Sequence, residues 1–536
     1  MTIKKQINNL HMKYINLKKM CVLFTVFFAV SCSNDFLDRP SLSETSTESF
    51  YETTEQLRLA TAALYGQPWS LWHNEAYIPF GDVMSGNIVI PYHGPDLVQL
   101  NTFTLNGTND RLYRGWKGLY MVVAHCNTTI IAINEKAPAT IAEADKNAAL
   151  AEAKFMRAMA YYQLALLWGE VPIIEDNRKL ITSPLINRNI TADVYRFITE
   201  DLTFAAENLP LTDAPGRVTT WSAKGLLSKV YLTISGLGQS GGTRNQEYLD
   251  LAKNTAKDVI ENSGLGLLPS YYDLFRTQYN DSPESLFALQ WTVGAGWGEG
   301  NMLLTYSPSN QINPQKDGGF GGTLVSYDLY LAYTEQDSIR RKANFMLTGD
   351  HYPELNAAEG GYTATYPTMK KHIIGNEADN NAPAMTFTSS ILHTQLLRLA
   401  DVYLVYAEAI LGNNTSTSNA DALLYFNMVR ERAGVDPVME LNMDVIFDER
   451  RIEFAFEGQY WLDLVRLSYF NPVKAIDRLS NQERVTFEYD SDTKEADPND
   501  PIGVISPATL ATFSLELPTS EVIANPKLVE PAVPYY

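Results

Sequence analysis

A chain of 536 residues, 45 % of them hydrophobic, has enough apolar surface for a large core, and three cysteines leave no room for a disulfide framework. The formal charge is −20; residues 1–31 hold five lysines and no acid, so the remainder carries −25. That balance argues against nucleic acid and anionic lipid as partners, and it disfavours strongly sulfated ligands unless a local basic pocket overrides it.

In chain order, residues 12–20 (MKYINLKKM) carry Lys13, Lys18 and Lys19, and an apolar run follows from Cys21 to Val30. At about ten residues that run fits the core of an export signal and is too short to span a bilayer, which takes roughly 20. Ala29-Val30-Ser31-Cys32 sets small residues at the third and first positions before a cysteine, a loose bacterial lipobox. The expectation is a lipoprotein signal peptide over 1–31, with cleavage before Cys32 and lipid attached there. A plain signal peptide that ends near a cysteine is the alternative. Cys126, inside MVVAHCNTTII, is expected as a small buried side chain.

Residues 32–48 are polar and turn-rich and read as a tether; 49–536 is expected to be a single domain. Apolar residues at 3.6-residue spacing predict helices over 54–65, 111–134, 143–168, 191–208, 220–236 and 245–262. Gly169 and Pro172 stop the third of these, and a threonine caps the start of the fifth. Small residues (Ala158, Ala160, Ala223, Gly225) mark close approaches, so the helices pair antiparallel in the manner of tetratricopeptide stacking. From about 264 to 395 glycine, proline, asparagine and aromatics dominate, and long loops with short strands are expected. Helical periodicity resumes over 395–411, 418–433 and 444–469. The fold class is therefore mainly α, with helix pairs and a loop-rich region.

Glu449, Glu453 and Glu457 step by four along one face of the last segment, and Asp463 and Arg466 follow three apart. Paired carboxylates serve glycosidases. Here, however, they interleave with Arg450, Arg451 and Arg466 and sit beside Phe454, Phe456 and Trp461, which predicts a partly buried ion network. Gly238-Gln239-Ser240-Gly241-Gly242 matches G-x-S-x-G but joins two helices, whereas a nucleophile elbow follows a strand. GAGWGEG (294–300) misses the dinucleotide fingerprint. The acidic stretch 490–500 lacks an EF-hand glycine. No catalytic residue, metal ligand or cofactor is assigned.

Three stretches carry a family resemblance: Tyr406-Ala407-Glu408-Ala409; Asn427, Arg430, Arg432, Ala433 and Gly434; and Glu449, Arg450, Glu453, Phe454, Glu457, Gly458, Trp461, Asp463, Leu464 and Arg466. With the CSNDFLDRP start, RAMAYYQLALLWGEVPII, TTWSAKGLLSKVYL and the closing LELPTSEVIANPKL, they make the chain resemble the SusD/RagB family of outer-membrane nutrient-binding lipoproteins. Tyr460 departs from the arginine often found there. The resemblance implies a SusD-like α-helical fold and reversible oligosaccharide binding at the cell surface. It also implies delivery to a SusC-like TonB-dependent transporter, with no enzymatic step; a peptide or another nutrient is the alternative ligand. Ser33 after Cys32 is consistent with an outer-membrane lipid anchor, and surface exposure rests on the resemblance alone.

Sugar rings pack their C–H groups on exposed aromatic faces while amides and carboxylates orient the hydroxyls. Two aromatic-rich loops fit: residues 67–87, with Trp69, Trp72, His73, Tyr77, Asp82 and Asn87, and the middle region with Trp291, Trp297 and Tyr306. Trp116, Trp168, Trp221 and Trp461 lie in helical patterns and are expected in the core.

Overall fold

A computed structural model describes residues 50–91, 94–292, 300–313, 321–380 and 389–536. The predicted helices are present as α1 (Thr54–Ala62), α3 (Asp110–Lys136), α4 (Glu143–Trp168), α5 (Thr191–Asn208), α6 (Thr220–Gly236) and α7 (Gln246–Asn262); a short α2 (Pro95–Thr102) precedes α3. Caps mark several of their ends. The Asn109 side chain accepts the Arg111 N–H, Thr219 and Ser222 form a capping box, and Gly169 ends α4 at φ 70°. Consecutive helices pack side by side, α3 on α4, α4 on α5, α5 on α6 and α6 on α7. Gly225 sits where a Cβ would meet Leu286 at 3.0 Å. The Gly238–Gly242 segment lies in the turn between α6 and α7, as its helical flanks require.

The middle region forms short antiparallel pieces. β1 (Ile88–Val89), β3 (Leu324–Val325), β7 (Thr368–Met369) and β4 (Phe345–Met346) make one sheet in that order. β2 (Ser285–Leu289) pairs with β8 (Thr394–Arg398), and β5 (His351–Tyr352) with β6 (Tyr362–Thr363). The segment 395–411 is thus a strand running into a helix, α9 (Leu399–Leu411). Both faces of β8 are buried, so no alternation marks it. A short α8 (Ser338–Asn344) lies between β3 and β4, and α10 (Ala420–Arg432) packs on α9.

The segment 444–469 is also divided, into α11 (Met443–Glu453) and α12 (Tyr460–Ser468). Phe456 and Gly458 between them take φ 64° and 65°, a region glycine enters freely and phenylalanine does not. The Asp82 carboxylate holds this turn: Oδ1 accepts the Phe456 N–H at 2.8 Å and Oδ2 the Gly458 N–H at 2.9 Å. Gly81 lies against Gly458 so closely that a Cβ on Gly81 would stand 2.1 Å from the Gly458 Cα. Gly81→Ala should therefore force the backbones apart and cost roughly 2 kcal/mol or more, as overpacking does, read as a lowered urea midpoint.

The signature acids form an ion network that is almost entirely buried, with Arg430 keeping partial exposure at its edge. Glu453 accepts from Arg398 at 2.6 Å, from Arg340 at 3.1 Å and from Arg432. Glu457 pairs with Arg398 at 2.9 Å and Lys371 at 2.8 Å, and Glu449 with Arg340 at 2.5 Å and Arg430 at 2.6 Å. Glu284 at the start of β2 joins Arg398 and Arg432, and Asp337 joins Arg340. A second group links Arg450 to Asp401 and Asp463, Arg466 to Asp463 and Glu408, and Lys229 to Asp401. Five carboxylates meet five cations in the first group, so it is neutral as well as buried. It ties the strands of the middle region to α8, α10 and α11.

Arg484 is buried and forms no ion pair among the described residues. Its guanidinium donates to the carbonyls of Val83, Met84 and Asn101, where two helical segments end, and lies 4.4 Å from the Phe103 ring centroid. Helix C-termini carry partial negative charge, which offsets part of the cost of burying this cation. Burial still pulls its pKa down to about 9.

Candidate ligand-binding face

Residues 67–83 are not an exposed loop. They form successive tight and wide helical turns, Gln67–Trp69, Ser70–Trp72, His73–Tyr77 and Pro79–Val83, laid along α3. Two glycines of α3 permit this: a Cβ at Gly118 would stand 2.5 Å from the Trp72 N, and one at Gly115 would stand 2.4 Å from the Phe80 ring. Trp69 is fully buried, and Trp72 and Tyr77 are 2 % and 3 % exposed. Their rings meet one another, Trp69 with Trp72 at 5.8 Å and Trp72 with Tyr77 at 5.3 Å. The expected sugar platform on Trp69, Trp72 and Tyr77 is therefore corrected to core packing, since no ring face there reaches solvent.

Asp82 and Asn87 are likewise buried. Asn87 donates to Asp82 at 3.0 Å and accepts from Arg451 at 3.0 Å, so both orient backbone and side chains rather than ligand hydroxyls. Burial raises the Asp82 carboxyl to about 6, against the hydrogen bonds from Asn87, Phe456 and Gly458 that lower it. Trp291 is 4 % exposed and belongs to the core. Tyr306 keeps partial exposure next to the Glu75–Arg111 ion pair, and burial raises its phenol pKa. Trp297 and Cys32 lie outside the described residues. Trp116, Trp168, Trp221, Trp461 and Cys126 are buried as expected.

Polar residues do gather around Trp291 and His73. The Trp291 indole donates to Thr394 Oγ1 at 3.0 Å, and that hydroxyl lies 2.8 Å from His73 Nε2. His73 Nδ1 lies 2.9 Å from Asn74 Oδ1, which also accepts the Met302 N–H at 3.2 Å. Asn74 Nδ2 donates to the Gly300 carbonyl at 3.3 Å, and Asn301 Nδ2 to that of Leu392 at 2.8 Å. One proton arrangement satisfies this chain: Thr394 donates to Nε2, and the imidazole carries its proton on Nδ1. Burial holds His73 down to about 3, so the ring stays neutral at any physiological pH.

This clasp joins residues 73–74, 291–292, 300–303 and 389–394, which include the flanks of segments 293–299 and 381–388. Trp297 belongs to the first of these segments. Nearby, the Gly321 N–H donates to Ser307 O at 3.0 Å and Tyr366 OH to Gly321 O at 3.1 Å, fixing the residue that follows segment 314–320. Asn74, Asn301 and Thr394 escape sequence reading because nothing in an isolated Asn or Thr tells which distant segment it will bond. Among the described residues there is no cluster of metal-binding side chains and no helix long and apolar enough to cross a membrane. Glu449, Glu453, Glu457 and Asp463 each bond buried cations and present no carboxylate pair to solvent.

Comparison with known proteins agrees with this architecture. Residues 283–536 match a family model described as the SusD family, and residues 35–232 match one described as starch-binding associating with outer membrane. A SusD-like protein of Bacteroides ovatus is 36 % identical, over 97 % of this chain and 99 % of its own. A SusD-like protein of Formosa agariphila is 26 % identical, over 83 % and 88 %. A crystal structure with a xylogluco-oligosaccharide superposes with a TM-score of 0.83 at 36 % identity, covering 90 % of this chain and 99 % of that one. A SusD superfamily protein from Parabacteroides distasonis shares the fold at a TM-score of 0.69 and 20 % identity, covering 89 % and 98 %. With helical pairs, a buried ion network built on the signature acids, and a relative more than a third identical along nearly its whole length, the chain belongs to the SusD family.

Proposed function

We propose that the protein captures neutral oligosaccharides on the face above the His73–Thr394 clasp and hands them to a SusC-like TonB-dependent outer-membrane transporter. In this reading it is a lipoprotein anchored through Cys32 at the cell surface, and it binds without chemical conversion. The observation that carries the proposal is the likeness to the structure holding a xylogluco-oligosaccharide, at 36 % identity over nine-tenths of this chain. The charge of −20 supports a neutral glycan over a sulfated one. Burial of Trp69, Trp72, Tyr77 and Trp291 leaves Trp297, with Tyr306, as the aromatic candidates for stacking on a sugar ring.

Titration calorimetry on the mature chain with Cys32→Ser, against xyloglucan oligosaccharides, other neutral glucans and peptides, tests this. Trp297→Ala should weaken glycan binding at least tenfold, about 1.4 kcal/mol, with an unchanged unfolding midpoint. Equal affinity in variant and parent would remove Trp297 from the site. Peptide binding without glycan binding would overturn the ligand class, and sugar release from a polysaccharide panel would overturn the non-enzymatic reading.

A further inference from the structure

A groove of about 440 Å³ runs between the middle of α3, the 172–186 connection and the C-terminal segment 521–528, and it includes none of the clasp residues. Trp116, Tyr120, Met121, Ile174, Leu180 and Leu528 line it. Beside it, large apolar side chains stand in solvent: Ile181 is 82 % exposed, Ile523 75 % and Leu185 45 %. An apolar trough with an apolar border marks a surface that something covers.

The border also carries lysines, whereas its adjoining acids are engaged, Asp176 by Arg178 and Glu175 by the Tyr535 hydroxyl. Lys117 lines the groove, and Lys179 and Lys527 adjoin its lining residues Leu180 and Leu528. None of the three joins an ion pair among the described residues, in a chain whose net charge is −20. Glu521 is the acid in the lining; burial raises its pKa and Lys117 opposes that rise. The fitting occupant is a short apolar segment flanked by acids.

The chain supplies one. The described residues begin at Phe50, and Tyr51 is held at the far end of α3, packed against the cluster of Leu57, Ile133 and Leu150 and under the Lys136 ammonium at 5.9 Å. Upstream of it, Asp35-Phe36-Leu37-Asp38 places an apolar pair between two aspartates. From Lys136 back to Met121 is roughly 22 Å along the helix at 1.5 Å per residue. The stretch from Leu37 to Phe50 reaches up to about 45 Å when extended, enough to pass around the helix as well.

We propose that residues Asp35–Asp38 of the tether dock in this groove, the apolar pair on its floor and the aspartates beside its lysines. Cys32 then lies within about 14 Å of Phe36, so a lipid on Cys32 draws this side of α3 toward the bilayer. The tether becomes a short, oriented leash. Being part of the same chain, the segment competes for the groove at an effective concentration in the millimolar range, order of magnitude.

The test uses the mature chain with Cys32→Ser, and its readouts are separate from glycan affinity. With Leu37→Cys and Leu180→Cys together, mild oxidation should give a disulfide within one molecule in most of the protein. Cys126 is fully buried and its thiol pKa is pushed up by burial, so it does not compete. In parallel, chymotrypsin should cut after Phe36 and Leu37 at least tenfold faster once Leu180→Asp is introduced, with an unchanged unfolding midpoint. A disulfide formed solely between molecules would assign the groove to a second copy and overturn the proposal. So would equal cleavage rates with and without Leu180→Asp.

Discussion

Trp72→Ala should unfold the protein before it affects any ligand, lowering stability by about 3–5 kcal/mol, the usual loss for truncating a fully buried aromatic. The indole is 2 % exposed, edge-on to Trp69 and Tyr77, and its backbone lies against Gly118 of α3. Truncation leaves a cavity that the neighbouring rings cannot close without abandoning one another. The indole N–H has no acceptor among the described residues, so Trp72→Phe should cost far less, about 1 kcal/mol, because it loses volume but no hydrogen bond. Urea denaturation of the two variants separates a packing role from a ligand-stacking one. A Trp72→Ala protein that keeps its unfolding midpoint and loses glycan affinity would return Trp72 to the binding face.

A loss of similar size is expected from Glu453→Gln, for an electrostatic reason. The amide keeps the shape but removes the charge that faces Arg340, Arg398 and Arg432, all buried. Leaving buried cations uncompensated costs about 3–5 kcal/mol, even where the intact pair adds little net stability. Glu488→Gln, on an exposed strand, should change the urea midpoint little and serves as the control.

Acid titration follows from the same geometry. Burial alone would raise the pKa values of Glu453 and Glu408, but the surrounding arginines outweigh it and hold both near 2. A carboxylate depressed in the folded state contributes stability that is present above its unfolded pKa of about 4.3 and is lost as pH falls toward 2. Asp82, raised to about 6, works in the opposite direction and gains stability as pH falls through that value. Stability should thus hold or rise slightly from pH 7 to 5 and then fall steeply from about 4.5 to 2. Glu453→Gln should flatten the acid limb; an unchanged limb would show that the network does not set it.

Much of the helical scaffold is legible in the sequence because helical periodicity is local. The stop of α4 at Gly169 and the start of α6 at Thr219 agree with a glycine and a cap that act within a turn of the element they bound. Two segments depart from that rule. β8 reads as the start of a helix because it is buried on both faces, and its partner β2 lies more than a hundred residues upstream. The division between α11 and α12 depends on Asp82, which bonds a turn more than 370 residues away.

The sequence by itself determined the fold class, the family and the acids of the ion network, since each rests on residue types at short fixed spacings. The cations that meet Glu449, Glu453 and Glu457, namely Arg340, Arg398, Arg430, Arg432 and Lys371, come from other elements, and only the tertiary structure assigns them. Tertiary structure decided which aromatics are available to a ligand. An aromatic-rich, proline-containing stretch such as 67–87 has the composition of a binding loop, and the α3 glycines that admit it to the core, Gly115 and Gly118, lie outside it in a separate helix. Exposure is set by what packs from elsewhere, so Trp72 and Trp69 went inside and Asp82 became a backbone clamp. His73 shows the same physics: its neutral ring is held by Thr394, a partner that no local pattern names.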